Sequence, residues 1–435
     1  MIDFLATLDR SHGLAERFEA VPPTAPADLL WRVLVRITPP TAPAPARGQT
    51  LDPCVIGAYG HSRTDALPRG VGEAVERYAL FPPRTRPPGT VRGTLRELAG
   101  RALPFDRPDL ALGHPGAADR TLDWYPARRL RDGAEILVPA PLVDYPYAGA
   151  DGQDFDPSPS GAAAGHGPDM ALRAGLLETI ERDALLVAWE RRLRLARVHP
   201  GAEGPGEVLR GRANALRRNL LALWRKAERA GLEPVLADLP TGLPGVVCTV
   251  GVIVDRTGDH PLATVGCNAS DDPWWSMLGA LQEALQIRSV LLNAWEEHGF
   301  GTTPAPAPAD IRDDDDRLRH VASRAAFAHV TEWVAGFTEE RPPRAAAEAG
   351  TADLVRALVA DGADPLAVDL TPRLPAGLRE MGWAAVKVVP AGYQALRMAE
   401  GRSFTWNAHR LNTAEARTGR PAGTSVHADR PHPLP

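Results

Sequence analysis

GLLETIERDALLVAW, residues 175–189, has the pattern of a long and largely buried helix. Apolar residues recur at Leu177, Ile180, Ala184 and Val187, close to the helical period of about 3.6 residues. At about 100° per residue, Glu181 lies only about 40° from Leu177, on the edge of this apolar stripe. A carboxylate in that position needs a partner, because burying an unpaired charge is costly. The partner could be an arginine or a metal ion, and the pattern leaves both open.

Composition excludes several classes of protein. The chain has 435 residues and a formal charge of −5, so it gives no support for a nucleic-acid-binding surface. Cys54, Cys248 and Cys267 are isolated, which indicates neither a disulfide framework nor a zinc site. The N-terminus lacks a signal-peptide pattern, and no run reaches the roughly 18 apolar residues needed to span a membrane. We therefore expect no membrane segment and a reducing cytoplasm.

Hydrophobic periodicity from residue 51 onwards indicates a mixed α/β chain. Helices are predicted over 70–80, 169–195, 213–232 and 271–295, and strands over 51–60, 246–255 and 384–389. Before them, we expect a short helix in DFLATLDRSHGLAERF (3–18), then the apolar stretch 29–37 and a stiff proline-rich connector over 38–48.

Three regions lack a clear pattern. Residues 82–169 are proline-rich and poorly periodic. TTPAPAPAD (302–310) and the acidic run Asp313–Asp316 are expected to form a solvated loop. The last residues, from about 418, have no core-forming pattern and should be extended.

Glutamates spaced three residues apart recur along the chain. The pairs are Glu73 with Glu76, Glu178 with Glu181, and Glu283 with Gln286, followed by Arg77, Arg182 and Arg288. Residues i and i+3 share a helix face, so each pair can direct two oxygens at one point. Carboxylates from two helices around one cleft suit Mg²⁺, which usually carries substrate phosphate, and a neighbouring arginine suits phosphate oxygens.

A surface ion-pair network also explains each pair taken alone. Glu73 and Glu76 lie off the apolar stripe of their helix, as solvated residues would, and so does Glu283. Only the position of Glu181 resists this explanation. The common glycine-loop and hydrolase motifs are missing, and His61 and His166 follow glycines in expected loops, where structural or solvated histidines are more common than catalytic ones.

Three stretches resemble the YcaO superfamily. They are AYGHSRTDALPRGVGEAVERYAL (58–80), SGAAAGHGPDMALRAGLLETIERDALLVAW (160–189) and CNASDDPWWSMLGALQEALQIR (267–288), and residues 368–397 resemble the closing strand region. The resemblance implies a YcaO-type α/β (α+β) fold, with mixed sheets and long helices lining a nucleotide cleft. It divides the chain into an N-terminal segment and connector (1–48), a YcaO domain (49–415) and an extended tail (416–435).

The chain ends in RPHPLP, with Pro431, Pro433 and Pro435 alternating. Alternate prolines favour an extended polyproline II segment, although a disordered tail is the ordinary alternative. This PxPxP end is similar to that of the azoline-forming branch, the D protein of thiazole/oxazole-modified microcin pathways. There a terminal carboxylate reaches the active site, which assigns that catalytic role here to Pro435.

The resemblance implies ATP-dependent cyclodehydration of Cys, Ser or Thr in a ribosomally made peptide, as part of RiPP natural-product biosynthesis. In the family, ATP phosphates and Mg²⁺ are held by the two ExxE pairs. Carried over, the metal ligands are Glu73, Glu76, Glu178 and Glu181, and Arg182 lies near phosphate.

Several polar positions depart from the family pattern. Arg69 stands where Ser is usual, His166 replaces Asn, Met170 replaces Glu, and Ala174 replaces Gln or His. The lysine of the family's GKG loop is also missing from YGHSR (59–63). These departures keep a second hypothesis open, a non-catalytic subunit that scaffolds a peptide-modifying complex. Thioamide or amidine formation, known in other YcaO branches, is disfavoured by the tail.

Partners follow from the resemblance as well. The substrate would be a precursor peptide, and its leader would need a winged-helix module of the kind carried by ubiquitin-activating-like proteins. The first 50 residues are too few for this module, so we expect it on a separate protein. The sequence leaves open which peptide is modified and whether a flavin dehydrogenase then oxidises the azoline. An isologous homodimer is the default expectation.

Overall fold

Three β-sheets, formed among the residues that the structure describes, carry the long helices. The computed structural model describes residues 2–24, 28–42, 51–202, 211–257, 260–298, 305–343, 349–423 and 430–434. The helices are α1 (Phe4–Thr7), α2 (Arg63–Leu80), α3 (Pro168–Glu190), α4 (Gly211–Arg229), α5 (Pro273–His298), α6 (Asp314–Val321), α7 (Arg324–Ala335), α8 (Thr351–Ala360), α9 (Ala376–Glu380), α10 (Ala408–Asn412) and α11 (Ala414–Thr418).

Strand order defines the three sheets. The strands are β1 (Ala15–Val21), β2 (Trp31–Ile37), β3 (Val55–Gly60), β4 (Val91–Gly93), β5 (Leu122–Arg129), β6 (Glu135–Pro139), β7 (Ala162–His166), β8 (Ala196–Val198), β9 (Glu233–Leu239), β10 (Val247–Asp255), β11 (Leu262–Ser270), β12 (Thr338–Arg341), β13 (Leu366–Asp369) and β14 (Trp383–Val389). The N-terminal sheet has the order β1-β2-β3, the five-stranded sheet β11-β10-β9-β8-β12, and the six-stranded sheet β4-β5-β13-β14-β7 with β6 beside β5.

The two ExxE helices share the strands β7 and β14. Helix α2 packs on the N-terminal sheet and also contacts β7 and β14, and α3 packs on β7, β14 and β11. Strand β7 runs into α3 through Gly167, whose φ of +83° is a conformation that favours glycine. This tight connection fixes α3 directly against the sheet that carries β14.

Helix α5 lies close on the five-stranded sheet. Every residue of β10 is buried, as expected for the apolar stretch VCTVGVIVD. At Gly251 a Cβ atom would lie only 2.6 Å from the carbonyl oxygen of Ala280, so glycine allows the helix backbone to approach the strand. The predicted long helices and the strands at 55–60, 247–255 and 383–389 are confirmed.

Two expectations are wrong. The N-terminal helix ends at Thr7, because residues 15–21 pair antiparallel with β2 instead. The acidic run 313–316 is not a solvated loop: Asp313 caps α6 through the N–H of Asp316 at 2.9 Å, and Asp315 is buried. The poorly periodic region 82–169, for which the sequence predicts no element, holds β4, β5, β6 and β7. Strands β4 and β6 pair with β5, which also pairs with the distant β13, and β7 pairs with the distant β14.

Residues 431–434, near the end of the sequence, are buried. Leu434 belongs to a core cluster together with residues of α3 and the five-stranded sheet. Most of the predicted connector and Pro435 lie outside the described residues. None of the helices described here combines enough length and apolar character to cross a bilayer.

Candidate functional site

Glu181 lies on the side of α3 that faces β11, and only 6 % of the residue is exposed. One carboxylate oxygen accepts a hydrogen bond from the backbone N–H of Ala269 at 2.8 Å. The other lies 3.0 Å from Nη1 of Arg182, so the arginine partner that the pattern allowed is present. Burial, together with the charges of Glu283 and Glu178, nevertheless raises the pKa of Glu181 to about 8. The two partners therefore do not fully compensate for its burial.

A carboxylate from α5 meets Glu181 beside Cys267. Glu283 Oε2 accepts a hydrogen bond from the N–H of Cys267 at 2.6 Å, and Sγ of Cys267 lies 3.4 Å from Oε1 of Glu181. One ligand atom from each of these three residues lies within 4.8 Å of the other two. Arg182 Nη2 lies 3.8 Å from Glu283. Burial raises the pKa of Glu283, and the charge of Glu178 raises it further.

The glutamates of α2 lie in the same electrostatic environment. Glu73 and Glu76 are partly buried, with 33 % and 21 % of their side chains exposed, unlike residues on a solvated face. Arg77 lies 3.7 Å from Glu73 and 3.8 Å from Glu76. Burial raises the pKa of both glutamates, and the charge of Glu178 contributes in each case. We refer to Glu73, Glu76, Glu178, Glu181 and Glu283 as the acidic cluster.

The donor set of the acidic cluster fits a magnesium ion with bound phosphate. Four of the five carboxyl groups have raised pKa values, mainly because they are buried, and the neighbouring arginines do not offset this effect. The Nε atoms of Arg77 and Arg182 are buried without a hydrogen-bond partner among the described residues. Carboxylate oxygens are ligands that Mg²⁺ prefers, and guanidinium N–H groups suit phosphate oxygens. The oxygens thus need a cation and the N–H groups need an acceptor.

Lys387 places a further cation beside the acidic cluster. It stands on β14, where its Nζ donates to the carbonyl oxygens of Ser158, at 2.6 Å, and Ser160. Burial lowers the pKa of Lys387 to about 8, although the charges of Glu178 and Glu76 oppose this shift. The lysine is therefore bonded to backbone carbonyls and acts on the glutamates of both ExxE helices through its charge.

Arg69 crosses from α2 to α5. Its Nη2 donates to Oε1 of Gln282 at 3.0 Å, its Nε donates to Asp65 at 3.1 Å, and its Cζ lies 5.2 Å from the ring centre of Trp275. Asp65 also accepts a hydrogen bond from Nδ1 of His61 at 2.8 Å. Burial alone would raise the pKa of Asp65. The hydrogen bond from His61 and the charge of Arg69 nevertheless hold this pKa well below its usual range. We call this contact set the Arg69 bridge.

Three other departures from the family pattern lie at the end of β7 and in the first turns of α3. His166, Met170 and Ala174 are exposed, and Met170 is 58 % exposed. Sδ of Met170 accepts the N–H of His166 at 3.4 Å. At about 1.5 Å per residue, Met170 and Glu181 are about 16 Å apart along the helix. These substitutions therefore change one end of α3 and leave the carboxylates unaltered.

The sequence also matches a known protein family over most of its length. The sequence model of a family described as YcaO cyclodehydratase, ATP- and Mg²⁺-binding, matches residues 57–394. The chain belongs to the YcaO family. The expected cofactors, ATP and Mg²⁺, are those of this family.

Two uncharacterised proteins are similar in sequence to this YcaO protein. One, from Methanothermobacter thermautotrophicus, is 32 % identical over 250 residues, which cover 56 % of this chain and 59 % of the relative. The other is described as lying in the tfuA 3′ region of Rhizobium leguminosarum bv. trifolii and is 29 % identical over 245 residues, 54 % of each chain. The matches thus span little more than half the length of these relatives.

Solved structures share the YcaO fold with this chain. A heterocyclase in complex with substrate and cofactor aligns with a TM-score of 0.67 at 19 % identity, over 99 % of this chain and 56 % of the other. YcaO from Methanopyrus kandleri, bound with AMPPCP and Mg²⁺, aligns with a TM-score of 0.59 at 21 % identity, over 92 % of this chain and 91 % of the other. A chain of the E. coli microcin synthetase McbBCD complex aligns with a TM-score of 0.61 at 13 % identity, over 96 % of each chain. The predicted fold is confirmed.

Charged side chains hold the C-terminal end of this YcaO protein. Arg317, on α6, donates to the carbonyl oxygen of His432 at 3.3 Å and to Glu400 at 2.5 Å. Nε2 of His432 donates to the carbonyl oxygen of Arg397 at 2.5 Å, and the N–H of His432 donates to Glu400 at 3.3 Å. Burial and the charge of Arg317 lower the pKa of His432 to about 3, so the buried histidine is neutral.

Sequence patterns alone do not assign Glu283, Cys267 or Lys387 to the site. The lone lysine in the apolar strand AAVKVV (384–389) is a signal that could have found Lys387, because lysine is rarely buried. Glu283 repeats the three-residue spacing but lies off its apolar stripe, and Cys267 has no local signal. Arg288, the third arginine of the repeated spacing, pairs with Asp255 at 2.7 Å instead.

Proposed function

We propose that this YcaO protein is the ATP-using subunit of a cyclodehydratase that converts Cys, Ser or Thr residues of a ribosomally made precursor peptide into azolines. The observation that carries the proposal is the acidic cluster, in which α2, α3 and α5 bring glutamates together around Arg77 and Arg182. Carboxylates at this depth are costly to retain without a cation. The arrangement therefore favours a metal-loaded state.

Each predicted site residue has a role in this proposal. The metal would be held by Glu73, Glu76, Glu178 and Glu181, with Glu283 as a further oxygen donor. Bound there, Mg²⁺ supplies charge neutralisation for phosphate oxygens. Arg77 and Arg182, whose Nε–H groups have no hydrogen-bond partner among the described residues, would donate to the same oxygens, and Lys387 would balance the remaining charge.

The proposed reaction removes a backbone carbonyl oxygen of the peptide and closes the azoline ring. The thiol or hydroxyl group of the substrate side chain loses its proton to water as its sulfur or oxygen attacks the preceding carbonyl carbon. The carbonyl oxygen then takes the γ-phosphoryl group of ATP, which leaves ADP. Phosphate then departs with that oxygen, and the amide nitrogen loses its proton as the C=N bond forms. The protein contributes positioning and charge neutralisation.

The base for the amide proton is assigned to the terminal carboxylate of Pro435. The buried path of residues 431–434 and the core position of Leu434 support this assignment, because they direct the tail into the interior beside α3. A precursor peptide and a separate leader-binding protein complete the proposed system. Support for them comes from the similar structures described as a heterocyclase with substrate and as a McbBCD complex.

A scaffold subunit is the second candidate function. The Arg69 bridge favours it, since this side chain spans two of the helices that line the proposed nucleotide cleft. The exposed Met170 favours it as well, because a thioether cannot replace the carboxylate usual at that position.

Turnover by the assembled system tests the proposal. The chain is combined with its leader-binding partner and precursor peptide, and phosphate release is measured beside the loss of water from the peptide by mass spectrometry. We expect both signals together in the wild type and in Glu380→Gln, an exposed control, and neither in Glu178→Gln. A complex that assembles but releases no phosphate would establish the scaffold function instead.

A further inference from the structure

A large cavity opens beside the acidic cluster. Its volume is about 860 Å³, within the usual range for ligand sites. Glu73 and Arg77 line one part of it, and Val55, Ile56 and Gly57 of β3 line another. The cavity therefore connects an outer strand of the N-terminal sheet with the carboxylates proposed to hold Mg²⁺.

Strand β3 presents an unpaired edge to this cavity. Among the described residues it pairs only with β2, in an antiparallel register that places Ile56 opposite Val35. The N–H of Ile37, on β2, donates to the carbonyl oxygen of Cys54, which directly precedes β3. Along an antiparallel pair, residues whose backbone groups bond to the partner strand alternate with residues whose backbone groups point away from it. The backbone groups of Ile56 thus face β2, and those of Gly57 face away. Gly57 makes no backbone hydrogen bond to any other described part of the chain.

Two tyrosines give a further part of the cavity wall a surface that suits a peptide. Tyr145 and Tyr147 line it, and their hydroxyl groups donate to Asp314 at 2.7 Å and Asp151 at 3.0 Å, so the rings are fixed in place. Aromatic rings of this kind give large contact areas to an apolar or extended chain. An unpaired strand edge and aromatic walls are together the elements of strand-addition recognition.

We infer that the edge of β3 and this cavity bind the peptide substrate as an added β-strand. The inference rests on the proposed function, and it names the subsite that receives the peptide backbone. Hydrogen bonds to Gly57 read the backbone rather than side chains, so binding tolerates different sequences. A chain held along β3 reaches the cavity wall formed by Glu73, which brings a backbone carbonyl beside the acidic cluster.

Gly57 offers a matched pair of variants. A Cβ at this position would lie 3.4 Å from Leu34, an ordinary contact, so Gly57→Ala should fold unchanged and keep its N–H. Gly57→Pro removes the N–H that faces the cavity and leaves the β2 ladder intact, because proline is tolerated on the outer side of edge strands. The two variants therefore differ mainly in one hydrogen-bond donor.

The probe is the peptide acetyl-Gly-Val-Cys-Val-Ser-Val-Gly-amide, titrated into the full chain labelled with ¹⁵N-glycine. We expect the Gly57 resonance to shift with millimolar affinity, and Gly57→Pro to bind about three- to tenfold more weakly than Gly57→Ala, as judged from the other shifting glycines. The same peptide with alternate backbone N-methyl groups should not bind. Equal affinities for the two variants, or no shift of Gly57 in the wild type, would overturn the inference.

Nucleotide binding in the same samples separates this inference from the proposed function. Calorimetry with Mg²⁺ and AMPPCP should give the same affinity for Gly57→Pro and Gly57→Ala. Peptide binding at Gly57 without nucleotide binding by the wild type would contradict the proposed function and leave the peptide subsite standing. Nucleotide binding without a Gly57 shift would contradict the subsite alone.

Discussion

Glu181 has a guanidinium and a backbone N–H as partners, yet its pKa stays near 8. Burial is the main cause of this raised pKa, and the charges of Glu283 and Glu178 raise it further. A cation bound at the acidic cluster would favour the charged forms of all three. The free protein therefore retains a costly arrangement that ligand binding relieves.

Lys387→Met should lower the free energy of unfolding by about 2–3 kcal/mol, because the carbonyls of Ser158 and Ser160 lose a charged donor. Urea unfolding measures the change. Lys226→Met is the matched control, since Lys226 is partly exposed and donates to only one carbonyl, that of Leu29 at 2.7 Å. We expect this control to lose about 1 kcal/mol or less. Equal losses would contradict the structural role assigned to Lys387.

Local spacing could identify the two ExxE pairs, because residues three apart share a helix face whatever surrounds the helix. It could not identify Glu283 and Cys267 as their neighbours. These contacts depend on how α5 and β11 pack against α3, which no local pattern specifies. Metal binding by these residues stays a prediction.

At the level of elements, α3 was predictable because its apolar stripe is long. The helix was expected to reach residue 195 but ends at Glu190, where Arg192 takes a φ of +49°. Strand β1 was not predictable, since its pairing with β2 overrides the helical pattern of residues 3–18. Strands β5 and β7 were missed for the same reason, because β5 pairs with β13 and β7 pairs with β14, which are distant in sequence.

Docking of the tail should weaken as pH falls. His432 has a pKa of about 3 when docked, whereas a solvated histidine titrates near 6.5. The docked pKa is the lower one, so docking is complete above about pH 6.5 and is lost progressively as pH falls towards 3. The charged groups that act on His432 are Arg317 of α6, Glu400 and Arg397.

Hydrogen exchange of residues 430–434 measures this docking. Between about pH 7.5 and 5.5 we expect protection, corrected for the intrinsic exchange rate, to fall about tenfold. His432→Gln keeps a donor for the Arg397 carbonyl but does not titrate, so its protection should be nearly constant over this interval. An equal fall in both proteins would show that another group controls the tail.

At the level of the whole molecule, the site depends on all three sheets. Helix α2 lies on the N-terminal sheet, α3 on the six-stranded sheet and α5 on the five-stranded sheet. Strands β1 and β2 pair with β3, so the N-terminal sheet crosses the predicted domain boundary at residue 48. Damage to any of the three sheets should therefore displace part of the acidic cluster.

The Arg69 bridge distinguishes the two candidate functions. Arg69→Ser should weaken binding of Mg²⁺–AMPPCP about tenfold, because the cleft loses a cation while Asp65 and Glu283 remain. Arg212→Ser is the control, since Arg212 contacts the Trp275 ring at 5.4 Å but does not take part in the bridge. Tighter binding by Arg69→Ser would mean that this side chain blocks the cleft and would favour the scaffold function.

Calorimetry of Mg²⁺–AMPPCP binding tests the central claim, that the acidic cluster of this YcaO protein holds a metal-bound nucleotide. We expect micromolar affinity in the wild type and in Glu380→Gln, and a loss of tenfold or more in Glu181→Gln, because the neutral amide cannot balance the cation. Urea unfolding of the three proteins controls for misfolding. No binding by a folded wild type, or equal binding by all three proteins, would contradict the account.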